Sequence, residues 1–181
     1  MQYGPFNTRR FDYQSTQVTV DSTLATSGTL YSVIIPATAL KTGMSIIQRA
    51  YQRVSRTASG PSFQYRILGN GTALYDSGTV AAISTVTNAY WRKFLELLVN
   101  QTGTAGEIIA NGDGIDSGTG NTFRNISLNN GGGTSVIQAN AAPFTLDISN
   151  GLTLVHSITF ASALASNNAI NTFAVTDFIG N

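Results

Sequence analysis

Apolar positions in this chain recur in short bursts with a period of two, separated by clusters of Gly, Asn, Ser and Pro. From residue 29, "TLYSVIIPATAL" is β-branched and aromatic up to Pro36, a residue with no N–H to give a ladder, and reads as a strand ending there. After a Lys-Thr-Gly turn, "MSIIQRAYQRV" (44–54) sets Arg49, Tyr51 and Arg53 on one parity and Ala50, Gln52 and Val54 on the other. "FQYRIL" and "TALY" flank Asn70-Gly71, a pair that accepts positive φ at both central positions of a twist-matched two-residue turn. This is the clearest hairpin signal in the chain. "SGTVAAIS" (77–84) predicts a further strand.

"AYWRKFLELLVNQTG" (89–103) is the one place where a helix competes. Phe94, Leu95 and Leu98 fit a 3.6-residue period, with Arg92 and Glu96 spaced as an i,i+4 pair. Its aromatic start lacks a cap, and Lys93, Leu95, Leu97 and Val99 alternate with Arg92, Phe94, Glu96 and Leu98. A strand is the better reading. "TFRNISL", "TSVIQAN", "FTLDIS", "GLTLVHSITFAS" and "INTFAVTDF" supply the closing strands, between Asn-rich turns.

About ten strands without helix–strand alternation predict an all-β fold, an antiparallel β-sandwich of jelly-roll-like type. Residues 1–28 are set apart as an N-terminal arm, with one strand-like run at 17–20, and 29–181 as the sandwich domain. Within that domain 111–133 reads as a glycine-rich loop.

Charge changes the picture more than hydrophobicity does. Only 10% of residues are charged, against roughly 25% in ordinary domains. The polarity comes from 23 Thr, 17 Ser and 15 Asn, and a formal net charge of +1 gives little long-range steering. No basic stripe stands out beyond Arg9-Arg10, the dispersed Arg49, Arg53 and Arg56, and Arg92-Lys93, so nucleic acid is not an expected partner. No apolar run is long enough to span a membrane, and the first residues lack a secretory layout, which predicts synthesis in a cytoplasm. With no cysteine there is neither a disulfide nor a thiolate site.

Candidate chemistry is sparse. "NGDGIDSGTGN" (111–121) offers Asp113 and Asp116 as hard oxygen ligands, but the calcium-loop frame fails at Ile115 and Asp116 and no glutamate closes it. Turn capping explains these residues, and no metal or other cofactor is expected. The single histidine, His156, has Ser157 beside it on a strand and therefore facing the opposite way. A structural histidine is the simpler reading. The nine carboxylates form no telling pair, and Asp76 reads as a turn cap, so no catalytic residue is predicted. Tyr3, Phe6, Arg9, Arg10, Phe11 and Tyr13 crowd a segment without strand rhythm. Aromatic and Arg residues are the usual anchors of interfaces, which makes these six the candidate partner-binding residues.

The order "TLYSVIIPATALKTGMSI", "FQYRILGNGTALYDSGTV", the Trp-led "YWRKFLELLVNQTG" and the late "LTLVHSITFASALASNNAINTFAVTDF" resembles tailed-bacteriophage virion structural proteins of β-sandwich type. Their hairpin motif appears here as Leu68-Gly69-Asn70-Gly71-Thr72 with Tyr75-Asp76-Ser77-Gly78, one residue longer between the two glycines. The resemblance spans over half the chain and lies in turn chemistry. It implies a capsid decoration (cement) protein, a homotrimer bound to the major capsid protein on the virion's outer shell, stabilising it without catalysis. The alternative it implies is a receptor-binding or tail-fibre module that recognises host-surface glycan.

Overall fold

The computed structural model describes residues 8–21, 27–56, 62–76, 85–118, 122–127, 143–164 and 167–180. In chain order the strands are β1 (Thr8–Gln14), β2 (Val18–Asp21), β3 (Ser27–Ile35), β4 (Ser45–Arg56), β5 (Phe63–Gly69), β6 (Thr72–Asp76), β7 (Val86–Gln101), β8 (Gly106–Gly118), β9 (Thr122–Ser127), β10 (Phe144–Leu146), β11 (Leu152–Phe160) and β12 (Asn168–Ile179). Every pairing among them is antiparallel. One sheet runs β1-β12-β4-β7-β8-β10, with β2 also on β12 and β9 also on β8; the other runs β3-β11-β5-β6. We call these the large and the small sheet. The all-β sandwich expected from the sequence is the fold observed, with twelve strands among the described residues.

The sandwich follows from alternation. Along β4, Ile46, Ala50 and Val54 are buried while Arg49, Tyr51 and Arg53 face outward. On β7 the buried row is Lys93, Leu95, Leu97 and Val99. On β11 it is Leu152, Leu154, His156, Ile158 and Phe160. The two inner faces meet in one apolar cluster that includes Leu30, Ile35, Ile46, Tyr65, Ile67, Leu97, Leu154 and Phe178. Full burial of one such side chain is worth about 1.5–3 kcal/mol. The competing helix at β7 loses because this strand is laddered on both sides, to β4 and to β8.

Asn70 and Gly71 have φ of 47° and 85°, the conformation expected of their turn. Asn70 does more than turn the chain. Its amide donates to the carbonyls of Asp147 (2.7 Å) and Gly151 (2.9 Å), and its Oδ1 accepts from the Thr153 N–H (2.7 Å). The hairpin tip is thereby bolted to the turn that enters β11.

Two sequence expectations are corrected. Residues 8–14 and 18–21 do not belong to a free arm: both stretches are strands on β12. A register shift between Arg10 and Asp12 interrupts the period of two and hides β1 from pattern reading. The stretch 111–133 is not one loop, since 111–118 continues β8 opposite β7 and Thr122–Ser127 forms β9 on its other side. Backbone ladders carry that hairpin, so it needs no hydrophobic rhythm. Asp76 accepts from Gln64 Nε2 and Arg66 Nε across the β5–β6 ladder, each at 2.9 Å or less, and the turn that follows it lies outside the described residues. The predicted strands at 77–84 and 134–140 lie outside the described residues.

Candidate functional site: an aromatic and arginine platform

The outward face of the large sheet carries side chains that the core does not need. Register places Phe173 of β12 opposite Tyr51 of β4, Tyr51 opposite Arg92 of β7, Arg53 opposite Tyr90, and Arg49 opposite Phe94. The Tyr13 ring meets Phe173 edge-on, with centroids 5.2 Å apart, and Phe173 lies 5.8 Å from Tyr51. The Arg53 guanidinium sits 5.1 Å above the Tyr90 ring and donates to its hydroxyl at 3.3 Å. Tyr13, Tyr51 and Tyr90 are 52%, 41% and 61% exposed, so four neighbouring strands present one aromatic surface to solvent. Such clustering of exposed rings marks interaction surfaces.

Its charge is mostly guanidinium. At one end Arg10 Nε (3.3 Å) and Arg49 Nη1 (3.0 Å) both donate to the buried Asp177 carboxylate, which holds Arg49 in place across β4 and β12. A cleft of about 340 Å³ opens between Arg49, Tyr51, Arg92 and Phe94.

The interior is polar for a different reason. Gln48 Oε1 can only accept, so His156 carries its proton on Nε2 (2.8 Å), and Nδ1 accepts from the Tyr65 hydroxyl (2.6 Å). Gln48 Nε2 donates on to Thr176 Oγ1 (3.2 Å). The Tyr31 hydroxyl gives its proton to the Asp12 carboxylate (2.7 Å) and therefore accepts from Thr176 (2.8 Å). Every donor in this chain points toward Asp12. Burial, and then the nearby Lys93 cation, push His156 down from 6.5 to about 3. Burial raises the Tyr65 and Tyr31 hydroxyls above their usual range, so neither is a base near neutrality. The Lys93 ammonium lies 4.7 Å from the centroid of the Tyr65 ring and 5.8 Å from that of Tyr75, a cation–π arrangement. This network runs through the interior of the sandwich to the half-buried Asp12 and ties β1, β3, β4, β5, β11 and β12 together. His156 is thus a buried strand histidine bonded through both ring nitrogens.

Of the six residues expected to bind a partner, Tyr13 and Arg10 reach the platform. Phe11 turns inward and stacks on Phe178 at 4.5 Å, and Arg9 is exposed. Tyr3 and Phe6 lie outside the described residues. Asp113 and Asp116 stand in β8 opposite Phe94 and Trp91, in a strand and not in a ligand loop. Among the described residues no group of three or more His, Cys, Asp or Glu could hold a metal ion. Tyr51, Tyr90, Phe173 and Arg92 were not singled out as a site by sequence. The signal of Tyr51, Tyr90 and Arg92 lay in the outward parities of the segments at 44–54 and 89–103, which become one surface only once the register between them is known.

No protein-family model matches the chain, and no curated protein does. Among solved structures, the CBM2 module of the evolved Dit of Lactobacillus casei BL23 phage J-1 is similar over 83% of this chain and 69% of that one, at 11% identity and a TM-score of 0.35. At that score the likeness bears on neither fold nor function. The class of protein is defined by the strand pairing itself: an antiparallel β-sandwich with an open aromatic and arginine face.

Proposed function

We propose that this chain is a non-catalytic virion module that binds host-surface glycan through the outer face of its large sheet. The observation that carries this reading is the row Tyr13, Phe173 and Tyr51, two exposed tyrosines with a half-buried Phe173 between them, with exposed Tyr90 beside it, on a laddered and therefore rigid surface. Sugar rings have an apolar C–H face that stacks on aromatic rings, and hydroxyls that bond to guanidinium and phenol groups at the rim. Rigid rings lose little entropy on binding. The virion setting rests on the motif resemblance. Binding of the purified chain to host cell-surface polysaccharide is the test. Tyr51→Ala and Tyr90→Ala, both surface changes, are expected to weaken it by about tenfold each at unchanged melting temperature. Undiminished binding in both variants would remove the platform from the function.

A second reading keeps the platform and changes the partner. Tyr and Arg are also the residues that dominate protein interfaces, which favours a decoration protein trimerised on the major capsid protein at the capsid exterior. Copy number in purified particles separates the two. A ratio near one per capsid subunit supports decoration, and a handful per particle supports a tail or fibre module.

A further inference from the structure

We propose that the platform takes an acidic polysaccharide, its anionic group held in the cleft between Arg49 and Arg92 while neighbouring rings stack on Tyr51 and Tyr90. This rests on the glycan reading and names the substrate class. Charge complementarity carries it. The chain as a whole is +1, yet the outward parity of this sheet carries the four guanidinium groups Arg10, Arg49, Arg53 and Arg92, with the carboxylates Asp177 and Glu96 and, by register opposite Phe94, Asp113. Asp177 is buried and already taken by Arg10 and Arg49. Arg92 pairs with no carboxylate among the described residues and stands exposed, opposite Tyr51 in the ladder.

Geometry narrows the ligand further. The cleft has one guanidinium on β4 and one on β7, with Tyr51 and Phe94 between them. Its roughly 340 Å³ admits a charged substituent on a sugar ring. A planar guanidinium fork matches two anionic oxygens and is the preferred partner of carboxylate and phosphate. Asp177 fixes Arg49 from behind, so one side of the clamp is pre-organised before ligand arrives. A neutral glycan would stack on the rings and leave Arg92 without use. A nucleic acid strand would need more phosphate neutralisation along its length than this short patch offers.

Calorimetric titration of the full chain against polygalacturonate, a phosphomannan, a neutral galactan and single-stranded DNA tests the proposal. The two acidic glycans are expected to bind roughly tenfold or more tightly than the galactan, with affinity falling as salt rises. Arg92→Gln removes that preference and keeps weak galactan binding, whereas Arg92→Lys restores part of it. The melting temperature of each variant checks folding, and Arg92 is exposed. Equal affinity for galactan and both acidic glycans would overturn the acidic specificity and leave the glycan reading standing. Tighter binding to DNA than to either acidic glycan would replace the partner. Binding to none of the three polysaccharides would take the glycan reading down with it.

Discussion

His156 makes stability depend on pH as the medium turns mildly acid. It is the chain's one histidine, fully enclosed between Gln48 and Tyr65, and its pKa is lowered from 6.5 to about 3 by burial first and Lys93 second. The folded protein keeps the ring neutral where the unfolded chain takes up a proton. The stabilisation is therefore complete above pH 6.5 and is lost as pH falls from there toward 3. Linkage gives a loss of about 1.4 kcal/mol at pH 5.5 and about 2.7 kcal/mol at pH 4.5. That is a large share of a typical total of 5–15 kcal/mol. Protonation would also put a donor on Nδ1, where the Tyr65 hydroxyl already points its proton. Urea unfolding followed from pH 7.5 to 4.5 is the assay. With a slope near 2 kcal/mol per molar, the midpoint is expected to fall by roughly 1.3 M across the range. His156→Gln, whatever its own stability, should flatten the dependence because it cannot titrate. Imidazole ¹⁵N shifts provide the direct check: a folded-state midpoint near 6.5, or the same pH slope in both proteins, would refute the burial of a neutral His156 between Gln48 and Tyr65.

Two further perturbations probe how the sequence sets the fold. Asn70→Gly keeps a residue suited to φ of 47° but removes three side-chain hydrogen bonds to the turn before β11, at a cost of about 2 kcal/mol. A melting temperature equal to the parent's would mean that turn conformation alone matters there. Gly151→Ala places a methyl 2.5 Å from the Ile35 carbonyl oxygen at a φ of 109°, so a loss of at least about 2 kcal/mol, some 4–8 °C in melting temperature, is expected. An unchanged melting curve would mean the turn relaxes freely.

Pattern alone made the sandwich legible, because β3, β4, β5, β6, β7 and β11 each declare a buried parity. Strand order was not legible. Nothing in the period of β12 says that it lies between β1 and β4. The site was half visible. Arg49, Tyr51 and Arg53 share one parity and Tyr90, Arg92 and Phe94 share another, both readable in the chain. That Tyr51 faces Arg92, and Arg53 faces Tyr90, is a matter of register between strands some forty residues apart, which no local signal encodes. Of the aromatic and arginine residues crowded near the N-terminus, Tyr13 and Arg10 lie on the platform and Phe11 packs on Phe178, a division set by the irregularity at Arg10–Asp12, which shifts the facing of its neighbours.

Interior and exterior are tied together on β4. Gln48 and Gln52 face in, to His156, Tyr65 and Asn171, while Arg49, Tyr51 and Arg53 face out. A slip of one residue would drive two arginines and a tyrosine into the core and leave His156 and Tyr65 without their amide partners. An all-apolar inner row would discriminate against such a slip less sharply on its own side, since apolar contacts are not directional. The buried amides thus set the register that aligns Tyr51 with Arg92 and Arg53 with Tyr90. The polar interior is thus what makes the outer face a defined surface.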